Sequence, residues 1–518
     1  MQMLIRLRDG VGLRALGLAT AVIALCCAGA TGQEKVDSLV LSPEQAVAFA
    51  LERSLVLKGA RLGPQIASLE VSAANTAWSP LLTGNVGIAD SRTPPLSVFD
   101  PQAGLVRREI TAGAAIGQQL PWGSAYSVEW GAERLTGNNP LARLNPQLTT
   151  IGSVTYMQHL LRGLPIDEAR ANRLISLKGQ TVSEAELAST AADTTYAVLR
   201  AYWTWIYARA YLATEQQSLT LAQSLLRDDR ERASLGKIAA VDVVEAEAEV
   251  ARRSDVILSA TKDVATAEDE VHLLIFAPTD PEQSRPLVPP SDLGEPDVPV
   301  DSPQETIARV LDSRQDLRIL QIALDVDDVT VRHLRNARLP DVSLSMSYTG
   351  QGVAGAAVPP SPGNPGSAGG NFPRSFSSAL GDLVHSRYPT WSAELSVSVP
   401  IGKSRASAEA AKASVKRTQD EITLRSAEQQ VITEVKAVIR DVDANHQRLP
   451  ITANAVILAE RRLDAEQRKF VVGLSTSFLV IQAQRDLTTA LEQRVRSVLD
   501  YHLSLADLQA VQTISLPR

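Results

Sequence analysis

The chain has 518 residues, of which only 4% are aromatic, and a net charge of −7. That length can bury a sizeable core, but the scarcity of rings favours long helices packed through small side chains over an aromatic-rich globule. The acidic balance argues against nucleic acid as a partner.

Arg6, Arg8 and Arg14 precede an apolar run, Ala15 to Cys27, and then Ala28-Gly29-Ala30. A charged start, an apolar middle and a small-x-small end describe a secretory signal peptide over 1–30, cut after Ala30. The run is too short to span a bilayer as a helix. Leu25 before Cys26, and Cys26 before Cys27, do not supply the small residue that a lipid-modified cysteine needs. Both cysteines leave with the leader, so the mature chain is expected to have no disulfide or thiol chemistry.

The mature chain reads as a duplication, with a first repeat over 31–278, a proline-rich connector over 279–300 and a second repeat over 301–518. LSPEQAVAFALERSLVLK (Leu41 to Lys58) matches DSPQETIARVLDSRQDLR (Asp301 to Arg318), and Trp78-Ser79-Pro80 matches Arg338-Leu339-Pro340 at the same offset. RASLGKIAAVDVVEAEAEV (Arg232 to Val250) matches KFVVGLSTSFLVIQAQRDL (Lys469 to Leu487) at a smaller offset, so the first copy holds an insertion between Pro80 and Gly236.

Each repeat opens with a helix, announced by Ser42-Pro43 or Ser302-Pro303 as N-cap and first helical residue, and ends that helix at Pro80 or Pro340. Pro64 predicts a kink in the first opening helix with no equivalent in the second. Four alternating stretches follow in the first copy: Leu82 to Ser91, Arg108 to Gln119, Ser124 to Arg134 and Leu148 to His159. Their outward residues are expected to include Val86, Ile88, Ile110, Ile116, Tyr126, Val128, Trp130, Val154 and Tyr156. Pro121-Trp122-Gly123 makes a tight turn between the second and third. A proline-free stretch from Pro165 to Ala233 would extend about 100 Å as a helix, and a returning helix runs from about Val241 to Phe276.

The second copy has two alternating stretches, VSLSMSYTG and SAELSVSVPI, with apolar residues on one face and mostly serine on the other. A soluble sandwich can alternate in the same way, but about ten residues is also the length that crosses a bilayer at a tilt. Between them lies Gly352 to Pro389, whose glycine and proline content predicts a long loop of the kind found on the outer side of membrane barrels. A long helix from Lys403 to Val471, broken at Pro450, and a final returning helix complete the chain.

Catalysis is not expected. The six histidines are scattered and none forms HExxH. Gly402-Lys403-Ser404 resembles part of a phosphate loop, but Val397 stands where that loop needs glycine. No GxSxG occurs, and no cofactor or metal is implied.

With these elements in order, the chain resembles the outer-membrane efflux proteins, the TolC-like channels, over essentially its whole mature length. The resemblance rests on LSPEQAVAFALERSLVLKGARL, on the QHLLRG and VPIGK exits from the strands, and on the paired ASLGKIAAVDVVEAEAEV and FVVGLSTSFLVIQAQRDL. It implies a mixed α and β membrane protein, a homotrimer in which three chains complete a transmembrane β-barrel in the outer membrane and a long α-helical barrel in the periplasm. One chain alone could not close its sheet, and an open edge cannot sit in lipid. Familiar members contribute four strands each, twelve in all. The extra pair from Arg108 to Arg134 either crosses too, for eighteen, or packs at the mouth or base; eighteen is the expectation.

The resemblance also implies functional residues. Val472-Gly473-Leu474-Ser475 looks like the family's periplasmic tip, which meets a periplasmic adaptor protein, and Gly236 is its counterpart. The competing reading is that each glycine only closes a turn. Some members narrow the tip with acids six and nine residues after the glycine; those positions hold Asp242 and Glu245 in the first copy but Leu479 and Gln482 in the second. An aspartate ring would favour cations, whereas a solvated helix face would account equally for both acids. The implied function is a passive exit duct of a tripartite efflux or type I secretion system, fed by an inner-membrane transporter that selects the cargo. The alternative from another class is a periplasmic coiled-coil scaffold or adaptor without a pore.

Overall fold

The computed structural model describes residues 38–96, 100–278, 280, 282–283, 285–290, 302–359, 375–399, 401–402 and 404–514. The leader read at 1–30 and the greater part of the connector lie outside them.

A short strand, β1 (Leu39–Val40), leads into three helical pieces, α1 (Pro43–Arg53), α2 (Leu55–Ala60) and α3 (Gly63–Asn75). Ser42 caps α1 by accepting from the Gln45 N–H at 3.2 Å, and Gln45 accepts from the Ser42 N–H at 3.1 Å. This reciprocal pair satisfies two donors that a helix start leaves open. Pro64 sits in the first turn of α3, so the expected kink is a full break between α2 and α3.

Four strands follow: β2 (Leu81–Thr93), β3 (Leu105–Leu120), β4 (Ser124–Gly137) and β5 (Leu144–His159). Then come α4 (Glu168–Ser234) and α5 (Ala240–Ile275). With 67 residues, α4 is about 100 Å long. The connector begins with β6 (Leu287–Val288), which pairs in parallel with β1. The connector is held to the helices at this strand: Arg209 also donates to the Leu287 carbonyl at 3.0 Å, and Leu287 N–H donates to Glu268 at 2.7 Å.

The second half runs α6 (Pro303–Ser313), α7 (Gln315–Asn336), β7 (Asp341–Ala357), α8 (Phe376–Val384), β8 (Pro389–Ser398), α9 (Arg405–Val471) and α10 (Ser477–Ala510). Ser302 caps α6 as Ser42 caps α1, accepting from the Glu305 N–H at 3.4 Å. Each opening helix is also interrupted by one extended residue, Ser54 with ψ 128° and Arg314 with ψ 126°. Those two positions share the offset of the opening pattern. The Arg314 side chain is buried at its break, donating to Asp316 at 2.9 Å and Glu434 at 2.6 Å. Nothing in the two sequences announced these breaks.

Two other expectations need correction. The segment Gly352 to Pro389 is not all loop: β7 continues to Ala357, and α8 forms within it. The helix expected to break at Pro450 is continuous as α9. Around that proline, Thr452 donates to the Arg448 carbonyl at 3.0 Å and Arg494 donates to the Leu449 carbonyl at 3.0 Å. Side chains thus serve backbone groups near the site where proline removes a donor.

The six long strands form one antiparallel sheet in the order β2-β3-β4-β5-β7-β8. The register joins Leu82, Ile116, Val128, Val154, Tyr348 and Trp391 into one row across all six. Every one of these side chains is exposed. The next row, on the opposite face, is Thr83, Ala115, Glu129, Ser153, Thr349 and Thr390. All nine residues expected to face outward lie on the apolar face.

Below the sheet, apolar clusters hold the helices together. One joins Leu41 and Ala46 to Tyr202, Trp205, Val271, Ile275 and Leu287. A second joins Val310 and Leu317 to Val431, Val435, Ile439 and Val511. No helix among the described residues is long and apolar enough to cross a membrane.

Candidate functional site

The two helical hairpins end in turns of one construction. In the first, Gly236 has φ +69°, its N–H donates to the Ala233 carbonyl at 2.9 Å, and Lys237 N–H donates to the Arg232 carbonyl at 2.9 Å. In the second, Gly473 has φ +77°, its N–H donates to the Phe470 carbonyl at 3.2 Å, and Leu474 N–H donates to the Lys469 carbonyl at 2.8 Å. This left-handed glycine closure satisfies carbonyls that the end of a helix leaves open. A Cβ at either glycine would meet nothing within 4 Å, so the backbone angle, not space, calls for glycine.

Outside the turns, Leu235, Val472 and Leu474 are exposed. Ser475 is tied into its own hairpin, donating to Glu466 at 2.8 Å. Ten residues beyond each glycine, Ala246 and Ala483 are buried in one cluster with Leu225, Leu226, Phe470, Val480 and Leu487. The repeated glycine-to-alanine spacing therefore marks where two turns lead back into a shared core.

Of the four constriction candidates, Asp242 and Glu245 lie in the first turns of α5, and Leu479 and Gln482 in the first turns of α10. Asp242 accepts from the Ala239 N–H at 3.2 Å, which gives it a helix-capping task. Glu245 and Leu479 are exposed, and Gln482 donates to Asp486 at 2.9 Å.

Sequence reading missed a polar seam among α4, α5 and α10. Close to the tips, the Ser477 hydroxyl donates to the buried Asp229 carboxylate. Burial pushes Asp229 above the usual carboxylate range, against the pull of that hydroxyl. Ser218 and Thr488 share a hydrogen bond at 2.8 Å, and Gln484 donates to the Leu221 carbonyl at 3.2 Å. Further along, Arg253 bridges Glu215 at 3.2 Å and Glu249 at 3.0 Å, while Arg485 reaches Glu249 at 2.7 Å. Burial, with a hydrogen bond to Glu215 and its charge, pushes Glu492 up to about 7. Burial also acts upward on Glu249, but the hydrogen bonds and charge of Arg485, with Arg253 and Arg252, hold it below its ordinary value. These residues sit amid ordinary amphipathic helix sequence, and no spacing distinguished them.

Among the described residues no group of His, Cys, Asp and Glu could hold a metal ion. His502 stacks on Trp203 with ring centres 3.7 Å apart, a packing role.

A single six-stranded sheet with one continuous apolar face is thus joined to paired long hairpins. Residues 306–512 match the model of the outer membrane efflux protein family, which bears out the resemblance read from the sequence. No curated protein matches the chain. Among solved structures, a membrane protein from Pseudomonas aeruginosa is similar at 16% identity and a TM-score of 0.67, covering 92% of this chain and 91% of its own. The Campylobacter jejuni CmeC outer membrane channel is similar at 13% identity and a TM-score of 0.64, covering 96% of this chain and 94% of its own. The outer membrane protein VceC from Vibrio cholerae is similar at 16% identity and a TM-score of 0.62, covering 91% of this chain and 96% of its own.

Proposed function

We propose that this chain is one third of an outer-membrane exit duct. Three copies pair β8 of one chain with β2 of the next, closing an eighteen-stranded barrel in the outer membrane, and their hairpins continue it as a helical tube through the periplasm. The two halves of each chain are copies of one unit, 31–278 and 301–518, joined by the stretch 279–300. The duct is passive; an inner-membrane transporter supplies cargo and energy through a periplasmic adaptor.

The observation that carries this reading is the six-strand row from Leu82 to Trp391, apolar and exposed throughout, beside a row of small and polar residues. A soluble sheet would cover such a face, whereas a membrane barrel presents it to lipid and turns its polar face to water. The open ends of the sheet fit the same reading, because only neighbours can pair them.

On this reading the turns at Gly236 and at Val472, Gly473, Leu474 and Ser475 form the adaptor-docking tips. Their exposed Leu235, Val472 and Leu474 offer apolar contact at the end of the tube. Asp242, Glu245, Leu479 and Gln482 lie just inside and form the candidate constriction.

Electron microscopy of the detergent-extracted protein tests the proposal. A three-fold ring with a tube about 100 Å long is expected, with eighteen strands in the end view. Twelve would mean that β3 and β4 leave the barrel. A monomeric rod released by salt or osmotic shock would leave the periplasmic scaffold as the function.

A further inference from the structure

The apolar face of the sheet carries charge at one level only. Among the described strand residues on that face, the charged ones are Asp90 and Arg92 on β2, Arg108 on β3 and Arg134 on β4. Asp90 opposes Arg108, Arg92 opposes Val106, Arg108 opposes Thr136, and Arg134 opposes Ile110. Each arginine is therefore a diagonal neighbour of the next, about 7–8 Å away and within reach of a long side chain. Strands in a closed barrel are tilted, so a diagonal of this kind runs around the wall rather than up it. All three arginines are exposed. Arg107, on the opposite face, pairs with Glu109 and Glu133, while Arg92, Arg108 and Arg134 have no ion pair among the described residues.

Helix α8 continues this line. The row through Arg134 passes Leu148 to Ala354, which is buried. Beside it, Gly152, Gly350 and Gly352 make a seat on the apolar face. A Cβ on Gly352 would stand 1.9 Å from the Ala379 carbonyl oxygen, and one on Gly350 would stand 2.9 Å from Leu383. Ala379 and Leu383 thus face the sheet, and Phe376, Leu380 and Val384, spaced at four residues, form an exposed apolar stripe.

We propose that Arg92, Arg108 and Arg134, with the stripe on α8, form a contact belt for outer-leaflet lipids whose phosphate headgroups carry a net negative charge. The inference rests on the membrane reading of the sheet and adds the headgroup chemistry and the residues that hold it. Guanidinium groups bind phosphate oxygens in a fork, and the stripe lies against the acyl chains beneath those headgroups. A neighbouring copy is a poorer occupant. The apolar face of β8, which would adjoin β2, presents Trp391, Ala393, Leu395 and Val397 and no acid to answer the arginines.

The test uses the full chain extracted in dodecyl maltoside and exposed in separate samples to dioleoyl phosphatidic acid, dioleoyl phosphatidylcholine and inorganic phosphate. Lipid retained after gel filtration is counted by native mass spectrometry. The wild type should retain phosphatidic acid in preference to phosphatidylcholine. The variant R92Q/R108Q/R134Q should retain about threefold less, while giving the same ring in micrographs. If the triple variant does not assemble, R134Q alone carries the comparison, with a smaller loss expected. Equal retention of the two lipids, undiminished retention by the variant, or competition by inorganic phosphate at matched concentration would overturn the proposal. Absence of a ring in the wild type would instead sink the barrel reading on which it rests.

Discussion

Arg232 of the first tip donates to the Phe470 carbonyl of the second at 2.9 Å, and its guanidinium lies 4.3 Å from the centre of the Phe470 ring. The same carbonyl accepts from Gly473 N–H, so the first hairpin grips the second at the base of its turn. Replacing Arg232 with alanine should cost about 2–4 kcal/mol of local stability, the sum expected of a charged hydrogen bond and a cation–ring contact. Hydrogen exchange across 468–476 should accelerate while α9 above it keeps its protection. Unchanged exchange would show that the two hairpins do not depend on this clasp.

Gly473 offers a cleaner case. With φ +77° and open space around the missing side chain, Gly473→Ala adds only backbone strain, about 1 kcal/mol. Gly473→Asn should lose less, since asparagine tolerates that conformation. Thermal unfolding of the two variants should therefore rank asparagine above alanine. The reverse order would mean that the glycine is needed for contact with something outside the chain.

The seam among α4, α5 and α10 should make stability fall with pH. Glu492 sits at about 7 in the folded chain, above the ordinary 4.5. A raised folded value means that the folded state holds the proton more tightly, so its stabilising contribution is full below about 4.5 and is lost as pH rises through about 7. Melting temperature should drop between pH 5 and pH 8, and Glu492→Gln should flatten that part of the profile. A profile of the same slope in the variant would assign the pH dependence elsewhere.

Helix α8 depends on its glycine seat. Gly352→Ala would drive a methyl into the Ala379 carbonyl, so α8 must shift, at a cost of about 1–3 kcal/mol. Limited proteolysis should cut the variant faster between Phe376 and Tyr388, with the rest of the sheet intact. Equal cutting rates would mean that α8 is not held against β7 in solution.

Much of this architecture was legible because it is periodic. Alternation at Leu344, Met346 and Tyr348 can be satisfied only by a strand with two unlike faces, and Ser42-Pro43 and Ser302-Pro303 announce helix starts by their own local chemistry. The tip glycines were legible because a left-handed residue has few alternatives. What escaped depends on tertiary partners. Arg314 reads as one more charge on an amphipathic helix until Asp316 and Glu434 are brought beside it. Asp229 and Ser477 are remote in sequence and meet only when the hairpins pack. Helix α8 was hidden because nine residues between glycine- and proline-rich flanks carry little periodic signal, and its seat lies on strands folded elsewhere.

Among the described residues the outer sides of β2 and β8 are unpaired, and the consequence reaches beyond geometry to gene dosage. On the proposed membrane reading, bare backbone groups in hydrocarbon cost several kcal/mol each, so a lone sheet would not wait in the bilayer for its neighbours, and closure would accompany insertion. In the proposed three-fold ring every protomer would take part in two of the three seams. A chain with one spoiled edge therefore ruins any ring it joins, and an equal mixture of sound and spoiled chains would leave only about one ring in eight intact. A defective copy would act against the good ones rather than merely fail beside them.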